Sequence, residues 1–277
     1  MRKITKPSFD VREVYSACIS KVANVNLKNQ LINIQHIFVA SELKFETAIQ
    51  NNTLYTLPKN DNVGGILTKE IKKIYTYRMV DKEQAGRPYY NAILLSAPHG
   101  KCPLCSQRIA TTLDHHLAKS EYPEFVVTPI NLLPCCSDCN KIKDTLSPTS
   151  NSEETFHPYF DDITGVWLSA SIIQTQPITI TYDTVNMTNQ QSLLDRRIAY
   201  HFKMLELEKL YAVHAGESLS NILFKLHNLY NQGGKEQVKA YLEEEFESRF
   251  NNNKNSWETA MYKALYESDW FCDGGFL

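Results

Sequence analysis

No stretch of this 277-residue sequence approaches the ~18 consecutive apolar residues that a membrane-crossing helix needs. Nor is there an excess of charge of one sign. Lys and Arg total 29 against 31 Asp and Glu, a formal net charge of −2. No global positive field therefore draws in nucleic acid, and any phosphate binding must rest on local patches or a bound cation. The first ten residues, Met1 to Asp10, are basic but lead into no apolar segment of a secretory leader. No internal repeat stands out. The seven cysteines are an odd number and show no disulfide framework. These absences predict a cytoplasmic protein without membrane contact.

What is present fits an ordinary globular chain: 43% hydrophobic and 22% charged residues, enough to exclude disorder and to bury one large core or two smaller ones. Apolar spacing predicts helices in the first hundred residues, beginning near Ser8 or Asp10, then over about 31–49, 68–80 and 88–96. Residues 51–65 read as a loop. Alternation in Pro177–Tyr182 predicts a strand that pairs with Trp167–Ile173. Helices are expected over 190–210, 218–231, 235–250 and 257–266. The Ser, Thr, Asn and Pro content of Ser147–Glu154 marks an internal boundary. The expected organisation is a helical region over 1–97, a compact core over 98–148, and a hairpin plus helices over 149–277.

The chemistry concentrates between two C-x2-C pairs, Cys102/Cys105 and Cys136/Cys139. Each pair forms a tight knuckle with two thiolates on one side, and two such knuckles wrap one tetrahedral Zn²⁺. The 106–135 linker exceeds the roughly 15–20 residues of a simple zinc ribbon, so something more is folded inside the clip. It holds Leu113-Asp114-His115-His116 and Asn131, and the closing pair runs into Asn140, Lys141 and Lys143. A strand carrying Asp114 and His115, a second strand near Phe125–Thr128 and a helix from the second knuckle would bring Asp114, His115 and Asn140 together. Asp and Asn are hard oxygen ligands suited to Mg²⁺ or Mn²⁺. Neutral His115 can take a proton from water. With Lys141 and Lys143 facing phosphate, these are the parts of phosphodiester hydrolysis.

These motifs, in this order, resemble the HNH endonucleases, or ββα-metal nucleases; the resemblance covers roughly residues 100–146. It implies an α+β fold, mainly α, with a small ββα-metal core flanked by helical segments and a short hairpin. It implies that His115 is the general base and that Asp114 and Asn140 hold the single catalytic metal. Asn131 would fix the loop ahead of the helix, and the four cysteines would hold structural zinc. Asn140 stands where the family name has its last His, a tolerated variation. Ala118 stands near where many members carry proline. The implied activity is hydrolysis of nucleic acid, DNA rather than RNA, in phage defence or a mobile element and alongside a protein that selects the target.

Blander readings compete for several residues. Cys135 is assigned to packing, since only Cys136 has x2 spacing to Cys139. His116 reads as a surface or supporting histidine, and His157 as part of an aromatic-rich core turn. Lys69, Lys72 and Lys73 read as a solvated helix side, as do Arg196, Tyr200 and Lys203. The rival to an enzyme is a zinc-stabilised module that binds nucleic acid or protein, with Asp114 and His115 idle.

Overall fold

Asp10 caps the first helix, α1 (Val11–Ser20), by accepting from the Glu13 amide while Glu13 reaches back to the Asp10 amide. This reciprocal box satisfies two amides that the helix leaves unpaired. Asn24 caps α2 (Val25–Gln50) by a single bond, accepting from Leu27 N at 2.9 Å. The predicted loop that follows contains a two-residue ladder, β1 (Asn62–Val63) with β2 (Ile66–Leu67), before α3 (Thr68–Arg78) and α4 (Arg87–Leu95).

The chain then forms β3 (Thr112–His115), β4 (Leu132–Cys135) and α5 (Ser137–Lys143). β3 and β4 are antiparallel, pairing Thr112 with Cys135 and His115 with Leu132. The second strand is therefore not at Phe125–Thr128 as expected. Pro123 and Pro129 each open a 3-10 turn there, and the intervening carbonyls turn inward toward side chains instead of a ladder.

The computed structural model describes residues 1–277 and divides into two units, Met1–Asp162 and Ile163–Leu277. In the first, Val14 and Tyr15 of α1, Phe38 of α2 and Ile71 and Ile74 of α3 share one core with Leu113 of β3 and Leu132 of β4. A second cluster packs Phe45 and Ile49 of α2 against Leu117, Phe125 and Ile130. Helices α1 to α4 thus form the bed on which the strand pair lies. Residues 147–162 belong to this unit: the Tyr159 hydroxyl donates to Leu132 O at 2.9 Å, and Glu154 accepts from Tyr55 N at 3.1 Å.

The second unit pairs β5 (Leu168–Ile173) with β6 (Thr179–Thr184), followed by α6 (Leu193–Met204), α7 (Leu207–Asn253) and α8 (Trp257–Glu267). The helix expected over 190–210 is interrupted at Leu205 and Glu206, and the two expected after it are separated by a break inside α7 at Gly233 and Gly234. α7 breaks where Gly234 adopts φ +63° and ψ −152°, a conformation open essentially to glycine alone. The whole chain is a mainly helical α+β protein with short strand pairs. No helix is long and apolar enough to cross a membrane.

Candidate active site and metal centre

The first knuckle turns at Ser106, whose amide donates to Cys102 O at 2.7 Å, while Cys102 N donates to Arg108 O at 2.8 Å. The second knuckle is the start of α5: Cys136 is its N-cap, and its sulfur accepts from Cys139 N at 3.4 Å. All four cysteines are buried, with sulfurs within 4.8 Å of one another. A tetrahedron with metal–sulfur bonds of about 2.3 Å has edges near ~3.8 Å. Cys105 and Cys136 are 4.0 Å apart, so the donor set fits a soft divalent ion such as zinc. The sulfurs already compete for protons: the hydrogen bond between Cys102 and Cys105 lowers the Cys105 thiol and raises that of Cys102. Cys135, on β4, borders the cage: its sulfur donates to Cys136 O at 3.2 Å and lies 4.0 Å from that of Cys102, but the four sulfurs gathered around one point are those of Cys102, Cys105, Cys136 and Cys139.

A cavity of about 260 Å³ opens beside this cage, lined by Lys72, Asp114, His115, Lys119, Asn140 and Asp144 among others. β3 delivers Asp114 and His115, α5 delivers Asn140, and α3 supplies Lys72. His115 is buried, and its Nε2 lies 2.9 Å from Val126 O. A carbonyl only accepts, so Nε2 carries the proton and Nδ1 is the basic nitrogen. The ring packs edge-on against Tyr75, centroids 4.5 Å apart, and the Tyr75 hydroxyl donates to Leu113 O at 3.2 Å. Burial, reinforced by the Lys119 charge, pushes the His115 imidazole well below its ordinary 6.5.

Asp114 is buried too, and burial raises its carboxyl above the usual range while Lys143 opposes that shift. The Lys143 Nζ lies 3.0 Å from Asp114 Oδ2 and donates to His115 O at 2.6 Å. Lys143 is therefore not the phosphate-facing residue expected from the sequence. Its stem and ammonium are enclosed behind β3, whereas Lys141 is exposed.

Asn131 is fully buried and clamps the loop after β3. Its Oδ1 accepts from Leu117 N at 2.7 Å, and its Nδ2 donates to Leu117 O and Phe125 O at 3.1 and 3.2 Å. His116 is not at the surface. Its ring lies 4.3 Å from that of His157, in the Phe45 cluster, and His157 Nε2 donates to Ile130 O at 3.1 Å. Lys72, Lys119 and Tyr75 escaped the sequence reading as site residues. The only available signal was the lysine face of α3, a pattern that solvated helices also show.

No family model matches the chain, and no solved structure matches it. It is 27% identical over 298 residues to protein ea31 of Escherichia phage lambda, spanning 99% of this chain and all of that protein. It is also 29% identical over 110 residues to Septu protein PtuB of Bacillus thuringiensis, spanning 38% of this chain and 42% of PtuB. The chain thus resembles a phage protein along its whole length, and covers less than half the length of PtuB.

Proposed function

We propose that the chain is a metal-dependent endonuclease of the HNH type that hydrolyses phosphodiester bonds in nucleic acid, with DNA the favoured substrate. One observation carries the reading: a buried imidazole with its basic nitrogen defined shares a small cavity with an acid and an amide oxygen donor. His115 Nδ1 takes a proton from water as the water oxygen bonds to phosphorus and the bond to the leaving sugar oxygen breaks. Val126 O holds the imidazole in the tautomer that this requires. Asp114 and Asn140 are the residues that would hold Mg²⁺ or Mn²⁺, which supplies charge neutralisation at the phosphate. Asn131 sets the loop that carries Val126, and the cysteine cage fixes the start of α5 and hence Asn140.

The setting we propose is phage defence or a mobile element, with a second protein selecting the target; the likeness to a phage lambda protein and to Septu protein PtuB supports it. One observation favours the rival, a zinc-stabilised binding module without catalysis. Lys143 already neutralises Asp114, as it would in a purely structural pair. Incubating the purified chain with supercoiled plasmid in Mg²⁺, Mn²⁺ or EDTA separates the two. Metal-dependent nicking, absent in EDTA and in Asp114→Ala, is expected; binding without nicking in any metal would establish the rival.

A further inference from the structure

Four lysines of the first unit stand out near the cavity, and their surroundings differ. Lys73 is held by Glu70 at 2.8 Å. Lys143 is enclosed against Asp114. Lys72 and Lys119 line the cavity itself, half-buried, and neither forms an ion pair. Lys119 lies over the Tyr75 ring, 5.2 Å from its centroid, a contact that directs the ammonium without neutralising it. Burial first, and Lys72 second, hold the Lys119 ammonium below the ordinary lysine range. Two cations converge on one small space that Asp114 and Asp144 also line; Asp114 offsets the cost to Lys119 only in part, and an anionic ligand between the ammonium groups would relieve the rest.

We propose that Lys72 and Lys119 form a clamp for the phosphodiester backbone at the cavity that holds His115 and Asp114. The proposal rests on the endonuclease reading and names what seats its substrate. A phosphate between the two ammonium groups would present phosphorus to a water beside His115, and both cations would offset the charge that grows on the phosphoryl oxygens. The clamp joins a helix of the first eighty residues to the loop after β3. It also accounts for substrate attraction in a chain with no net positive field. Lys69 and Lys141 are exposed and do not line the cavity, so they are outside it.

The test uses the full chain with a fluorescein-labelled duplex of about 20 base pairs, in EDTA, over roughly 50 to 200 mM salt. Plasmid cleavage in Mn²⁺ is measured in parallel. Lys72→Gln with Lys119→Gln is expected to reduce the slope of log K against log salt by about one, for the one phosphate the clamp seats, and to lower cleavage kcat/KM at least about tenfold. The double arginine variant should keep most of both, because it keeps the charges. Lys69→Gln with Lys73→Gln serves as the control and leaves cleavage at the wild-type rate. Zinc content and Tm report folding in every variant. Wild-type cleavage together with an unchanged slope and rate in the glutamine variant overturns the clamp and leaves the nuclease intact. A wild type that binds with a slope the glutamine variant loses, yet never cleaves, defeats the nuclease reading and retains the clamp. A wild type that neither binds nor cleaves defeats both.

Discussion

The Lys143 ammonium stands 3.0 Å from a carboxylate oxygen of Asp114, and each side chain is only 4% exposed. The same ammonium donates to His115 O, so one cation ties α5 to the end of β3 at two points. A buried pair of this kind gains little over an apolar replacement, but removing one partner leaves a charge stranded. Lys143→Met is therefore expected to cost about 3–5 kcal/mol, measured by urea or thermal unfolding. The double variant with Asp114→Asn should recover part of that loss. A Lys143→Met protein as stable as wild type would show that the pair carries no such burden.

Cys136, and not its neighbour Cys135, belongs to the four sulfurs that could hold one zinc ion. Elemental analysis is expected to find about one zinc per chain, on the order of 10 kcal/mol of apparent binding free energy at such a site. Cys136→Ser should lose both metal and stability. Cys135→Ser, whose sulfur bonds a backbone carbonyl, should keep its zinc. The reverse pattern would exchange the two thiols.

Burial sets the pH behaviour of His115. Since its imidazole is held well below 6.5 in the folded chain, it remains a base throughout the neutral range. Cleavage should be flat above about pH 6.5 and decline only in more acid solution, and His115→Ala should abolish it. The sign for stability follows. As pH falls through ~6.5 the unfolded chain takes up the proton before the folded one does, so stability present above that pH is lost on acidification. Wild type and His115→Ala should thus diverge in unfolding free energy as a function of pH between about 7 and 5. A cleavage rate that climbs steeply between pH 6.5 and 7.5 would place the titrating group elsewhere.

Asn131 makes three hydrogen bonds within a dry loop. Asn131→Ala strands the Leu117 amide and carbonyl, at about 1–3 kcal/mol for each uncompensated group, and leaves Phe125 O with Thr128 N alone. Tm should fall by well over the few degrees typical of a surface change, and cleavage should fall with it because Phe125 and Val126 lose their anchor. Hydrogen exchange at Leu117 N gives a direct readout, and protection equal to wild type would contradict the argument.

Much of this arrangement is legible in the chain. The cysteine spacing specifies the cage because knuckle geometry is local, and Asp10 with Glu13 marks a helix start for the same reason. Residues named from the motif, Asp114, His115 and Asn140, do line one cavity. The partner strand is less legible. Phe125-Val-Val-Thr has stronger β-propensity than Leu132-Leu-Pro-Cys, yet the former is bracketed by prolines and the latter is tolerated as a strand because a two-stranded pair leaves Pro134 at an edge. The fate of Lys143 is illegible in principle from pattern alone, since a lysine in the last turn of a short helix looks the same whether it meets phosphate or a buried acid. The break in α7 at Gly233 and Gly234 is legible too, since it falls between the helices expected over 218–231 and 235–250.

The hydroxyl of Tyr75 fastened to Leu113 O has a bearing on how this machinery can travel between proteins. The strand that presents Asp114 and His115 is stapled from a helix residue 38 positions upstream, outside the stretch that carries the recognisable motif. A gene fragment encoding residues 98–148 would carry all four cage cysteines and every motif residue, yet it would arrive with one wall missing and its strand unbraced. Recombination that moves the motif alone is therefore disfavoured, and shuffling should respect a unit that begins before α3. In this chain the inheritable part is larger than the signature.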